Sequence, residues 1–217
     1  MRLTKLLLLV CVIGILLLIP STVLASYLDG GQATISGLLG TRAYVSYDNP
    51  YVSVGDSAWS MVAAGRYGYA QTGWAKYPGD SGIHYFTEWT DDSDPSHWVS
   101  WDATYDITGT HLYGVLQMGS YWKFYVDSTT LGTVSNSTVN FSTGYWAEYY
   151  GEAQSTSDQS PGKQSNKVRF STVQYTTGSG WTNTPIGTWV QNLSTQSLDH
   201  ANYSFNNYFD IWDGRYY

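Results

Sequence analysis

The chain has 217 residues, with 17 acidic against 10 basic side chains and a net charge of −7. So acidic a surface repels nucleic acid and anionic membranes, and neither is an expected partner. A single cysteine, Cys11, leaves no pair from which an internal disulfide could form.

In chain order, Met1-Arg2-Leu3-Thr4-Lys5 is a short basic segment, and an unbroken apolar run follows over 6–19 before Pro20. This is the layout of a secretory signal, and the run is shorter than the ~20 residues that cross a bilayer. Val23-Leu24-Ala25 offers the small residues of a cleavage site, so residues 1–25 are read as a signal peptide removed after Ala25. Residues 26–217 then form one secreted, monomeric domain that has no membrane association once the signal is gone. Loss of Arg2 and Lys5 leaves 8 basic against 17 acidic residues, a net charge near −9.

Past the signal no stretch has helical periodicity. Twenty tyrosines, ten tryptophans and 22 glycines describe strands joined by tight turns. Short alternating runs predict strands over 32–36, 42–47, 57–62, 67–76, 83–90, 111–118, 121–126, 145–152, 167–175 and 208–212. Turn clusters punctuate them, among them Asp48-Asn49-Pro50, Tyr77-Pro78-Gly79-Asp80, residues 91–95, Ser160-Pro161-Gly162 and Thr177-Gly178-Ser179-Gly180. The expected fold is all-β, an antiparallel two-sheet sandwich of jelly-roll, concanavalin A-like type, with an up-and-down barrel as the alternative. No fixed repeat points to a propeller or solenoid.

Several chemistries lack their atoms. Gly79-Asp80-Ser81-Gly82 resembles a serine-protease nucleophile motif, but the first histidine, His84, follows the serine, so the segment is read as a turn. His84, His97, His111 and His200 have no zinc-ligand spacing. Asp91-Asp92-Ser93-Asp94 is a dense set of oxygen ligands that fits no calcium-loop pattern, and it is read as a solvated acidic loop. No metal and no cofactor is expected.

Only three glutamates occur, Glu88, Glu148 and Glu152, and all fall in expected strands, where glutamate is depleted. Side chains alternate across a strand, so Trp146, Glu148, Tyr150 and Glu152 share one face of their run. The same parity groups Tyr67, Tyr69, Gln71 and Gly73. An amide and a carboxylate from neighbouring strands could thus meet on a concave sheet. The same pattern also fits a polar rim on an outer face.

At these residues the chain resembles a known family. Gln71-Thr72-Gly73, followed by Tyr85-Phe86-Thr87-Glu88-Trp89, is similar to the Gln-Thr-Gly strand and its successor in eqolisin-type glutamic peptidases. Ala147-Glu148-Tyr149, followed by Val168-Arg169-Phe170-Ser171-Thr172-Val173, resembles their Ala-Glu-Trp strand and the one after it. The segment 71–92 also resembles the plant neprosin domain. The likeness implies a concanavalin A-like sandwich and an acid-active endopeptidase, in which Glu148 is the general base and Gln71 the oxyanion donor. Glu152, on the same face, is the other candidate base, and Tyr69, Trp146 and Tyr150 are the implied substrate contacts. A carboxylate base with an unraised pKa operates best at acidic pH. The expected partner is a polypeptide substrate. The alternative is an extracellular glycan held by exposed aromatic rings on a non-catalytic, lectin-like sandwich. A surface or matrix protein without a small-molecule site is the third reading.

Overall fold

The computed structural model describes residues 27–91, 94–101, 107–199 and 208–217. The signal-peptide reading of 1–25, Cys11, His200, and Asp92 and Ser93 of the acidic turn therefore lie outside the described residues.

Fifteen strands and no helix make up what is described: β1 Tyr27–Leu38, β2 Gly40–Ser46, β3 Ala58–Gly65, β4 Tyr69–Lys76, β5 His84–Asp91, β6 Asp94–Trp101, β7 Thr110–Gln117, β8 Tyr121–Val126, β9 Thr129–Ser135, β10 Gly144–Ala153, β11 Val168–Thr176, β12 Thr182–Asn183, β13 Thr188–Gln191, β14 Gln196–Asp199 and β15 Tyr208–Asp213. One sheet runs β13-β1-β10-β3-β4-β5-β6. The other runs β14-β15-β11-β2-β7-β8-β9, with β12 added beside β11. Strand pairs in both sheets are antiparallel, and the two sheets stack as a concanavalin A-like jelly-roll sandwich. Asp91 and Asp94, expected within a turn over 91–95, are instead paired strand residues at the end of β5 and the start of β6.

The period of two decides what lies between the sheets. Val62, Ala64, Ala70, Trp74, Ala147 and Tyr149 point inward from the first sheet. They meet Ala43, Val45, Tyr113, Val115, Trp122, Phe124, Phe170 and Phe209 from the second. Burying each large side chain contributes roughly 1.5–3 kcal/mol, provided its polar atoms find partners. Trp74 Nε1 donates to Ser46 O at 3.1 Å and Trp122 Nε1 to Phe141 O at 3.0 Å. The Tyr149 hydroxyl donates to Gln174 O at 2.7 Å, tying the two sheets together.

The opposite face of the first sheet is not plain solvent surface. Met61, Ala75, Phe86 and Tyr150 point away from the central core, yet each is buried, with Leu28, Trp59, Tyr77 and Val190 packed on them. This outer face therefore carries a second, smaller apolar cluster. Two glycines let neighbouring backbones approach closely there. A Cβ on Gly73 would stand 1.8 Å from Ser60 O, and one on Gly30 would stand 2.2 Å from Tyr149 O. Gly73→Ala is expected to break the β3–β4 pairing beside Met61 and cost about 3 kcal/mol or more. A urea melt checks this, and an unchanged midpoint would show that the strands can separate freely at this point.

Candidate functional site

Residues directly opposite one another in paired strands share a face. On the outer face of the first sheet this rule aligns Gln32, Glu148, Ala63, Gln71 and Glu88, contributed by β1, β10, β3, β4 and β5. Gln71 and Glu148 thus look out from the same row, but from strands separated by β3 rather than from neighbouring strands as expected, because the register that aligns them runs through Ala63. Strands stand about 4.8 Å apart, which puts their Cα atoms roughly 10 Å from each other. The intervening side chain is only the methyl of Ala63. Beside it, Gly65 has none at all, and Glu148 Oε2 lies 3.6 Å from where a Cβ on Gly65 would stand. The two long polar side chains stand on either side of β3, whose small Gly65 and Ala63 leave a shallow trough in the side-chain layer, fully buried beneath them at Ala63, with Met61 and Trp59 farther along.

Each member of the pair is held by a neighbour in its own row. Gln71 Nε2 donates to Glu88 Oε2 at 2.8 Å, and the Tyr69 hydroxyl donates to Glu88 Oε1 at 2.7 Å. The carboxylate of Glu88 fixes which end of the Gln71 amide is nitrogen. It occupies one N–H and leaves the second to point elsewhere. On the other side, Gln32 Nε2 donates to Glu148 Oε1 at 2.6 Å. Burial pushes the Glu148 carboxyl above its ordinary pKa, and the bond from Gln32 pulls it partly back. The sequence reading took the base to have an unraised pKa. Desolvation corrects that, because the side chain lies low in the trough rather than at a wet rim.

The remaining candidates fall into place around this row. Glu152 is two rows farther along β10, roughly 13 Å from Glu148, opposite Leu28 and Trp59. It is buried at 7% exposure and is not in register with Gln71. Tyr69 is tied to Glu88. Trp146, opposite Gly65, is 36% exposed and forms a lip with Tyr145, whose ring meets it edge-on at 5.5 Å. Tyr150 is buried at 4% exposure within the outer apolar cluster and serves as floor. Gln32 and the positioning bonds of Glu88 are additions to the sequence-based set.

Other readings from the sequence also have a location. The Gly79–Gly82 segment is the β4–β5 turn, where Asp80 Oδ2 meets His84 Nε2 at 2.8 Å. His111 Nδ1 lies 2.8 Å from Asp127 Oδ2, at the far side of the molecule in the second sheet. Among the described residues no group of three His, Cys, Asp or Glu side chains is placed to hold a metal ion.

No protein-family model matches this chain, and no curated protein matches it either. Solved structures do. SCP-B, a member of the eqolisin family of peptidases solved with the tripeptide Ala-Ile-His, matches with a TM-score of 0.62 at 12% identity, over 87% of this chain and 98% of that one. Two structures of scytalido-glutamic peptidase with transition-state analogues match with TM-scores of 0.56 and 0.54 at 13% and 15% identity, over the same shares. The fold is that of the eqolisin peptidases, across nearly all of their length.

Proposed function

We propose that the protein is an exported endopeptidase in which Glu148 activates water and Gln71 stabilises the oxyanion. The observation that carries this reading is the shared row: an amide and a carboxylate on one face, two strands apart, with only Ala63 between them. Ionised Glu148 takes a proton from a water held at its Oε2 as the water oxygen attacks the peptide carbonyl carbon. The carbonyl oxygen gains negative charge and accepts the second N–H of Gln71, whose first is already given to Glu88. Glu148 then returns its proton to the departing amine as the C–N bond breaks. Glu88 and Gln32 act as positioning residues, because neither has to touch the reacting atoms to set the orientation of the groups that do. The extended trough suits an extended polypeptide, with Trp146 and Tyr145 at its lip.

The test is cleavage of a denatured protein by the chain without residues 1–25, between about pH 2 and 6. Gln71→Ala is expected to lower kcat about 10²- to 10³-fold while binding is little affected, since the lost bond matters most once charge develops. Absence of cleavage across that range, or full activity in the variant, would remove the reading.

A further inference from the structure

The outer face of the second sheet, on the opposite side of the molecule from the trough, concentrates a different chemistry. Arg42, Lys123, Lys167 and Arg169 all stand there, on a chain with only 10 basic residues and a net charge of −7. Each lies over an aromatic ring. Arg42 Cζ is 4.2 Å from the Trp181 ring centre and Lys123 Nζ is 5.4 Å from that of Tyr125. Lys167 Nζ is 3.8 Å from Trp212, and Arg169 Cζ is 4.8 Å from Tyr208. Tyr44 and Tyr121, on the same face, are 39% and 37% exposed.

The centre of this surface is one row: Asn183, Gln174, Arg42, Gly114 and Tyr125. Gly114 is what allows the Tyr125 ring to lie across the sheet, since a Cβ there would stand 2.3 Å from the Tyr125 hydroxyl. Arg42 is held in place by bonds to Gln174 Oε1 at 3.0 and 2.8 Å and by one to Tyr125. Its remaining N–H groups are left for an outside acceptor. Among the described residues no Asp or Glu occurs in this row or beside Lys123 in the next, and no ion pair is formed by Arg42 or Lys123 there. Asp210, paired with Arg169 at 2.7 Å, belongs to the other edge.

We infer that this face binds an acidic polysaccharide through its uronic acid units. Sugar rings present C–H faces to Trp181 and Tyr125, while their carboxylates accept from Arg42 and Lys123. Charge complementarity selects the class. A neutral glycan leaves the cations unused, and a planar uronate carboxylate matches the fork of the Arg42 guanidinium. The inference stands on the second sheet alone and does not depend on the reading of the trough.

Affinity electrophoresis in gels cast with polygalacturonate, laminarin or a single-stranded oligonucleotide tests it. Retardation is expected with polygalacturonate and not with the neutral laminarin, and it should fade at about 0.5 M salt. Trp181→Ala and Arg42→Gln should each weaken binding about tenfold or more, with unchanged circular dichroism, and Trp146→Ala on the opposite face should bind normally. No retardation, equal retardation by laminarin, tighter binding of the oligonucleotide, or normal binding by Trp181→Ala would each overturn the proposal.

Discussion

Glu148→Gln is expected to lower kcat about 10³-fold or more and to leave the fold intact or more stable. The two halves of that result separate a base from a structural residue. Glutamine has nearly the shape of glutamate, and its carbonyl oxygen can still accept from Gln32, whose bond at 2.6 Å holds Glu148 in place. What it cannot do is take a proton from water, a role usually worth 10²- to 10⁴-fold. Stability should move the other way. Burial raises the pKa of Glu148 in the fold, so ionising it costs more folded than unfolded, and stability drops as pH rises from the ordinary carboxylate range through the raised value. The glutamine variant escapes that loss, and its melting temperature at pH 7 should equal or exceed that of the parent. An inactive variant that also melts well below the parent would point to a packing role, and an active one would end the assignment. Among active variants, the acid limb of kcat/KM should fall above the ordinary carboxylate pKa, because that limb reports ionisation of the base in the free protein.

How far the sequence alone reaches depends on whether an interaction lies within one strand or between two. The parity that puts Glu148 with Trp146 and Gln71 with Tyr69 is a local property of an extended chain, readable from spacing. The partners of that pair are not local. Gln32 meets Glu148 across 116 positions of sequence, and nothing in either segment states that β1 lies beside β10. Glu88 stands out from the sequence as an acid in a strand, but its bond to Gln71 follows from the register of the β4–β5 pair. The absence of Ala63 from the expected set has the same origin. An alanine signals nothing until the strands on both sides are known, and then its small size becomes the reason the trough exists.

Missed strands have equally specific causes. β9 carries a register shift opposite Phe124 and Tyr125, where Leu131 is the extra residue, so its alternation is broken within seven positions. β13 and β14 are four residues each, too short to show a period. The acidic composition of 91–95 reads as a turn, whereas the pairing of Asp91 with Asp94 puts both residues in strands, a register that composition does not state.

The second large effect concerns Asp29, which points inward from β1 and is fully buried, with no hydrogen-bond partner on either carboxyl oxygen. Burial, reinforced by the nearby Asp213, pushes its pKa up to about 8. An acid whose folded pKa lies above its unfolded value keeps its proton longer in the fold. Its contribution is therefore complete below about pH 4 and is lost progressively as pH rises toward 8, at up to ~1.4 kcal/mol per pH unit. Several kcal/mol of stability should disappear over that interval. Asp29→Asn, which has no proton to lose, should flatten the decline and raise the melting temperature at pH 8 by roughly 10 °C, while changing little at pH 4. Thermal melts of both proteins across that range decide the matter, and parallel slopes would show that Asp29 does not titrate in the way its burial implies. The two acids then oppose one another. Glu148 must lose its proton for the proposed chemistry, whereas Asp29 must keep its own for the sandwich to hold. The working window lies between those titrations, on the acid side of neutrality, and Asp29→Asn should widen it upward without moving its lower limit.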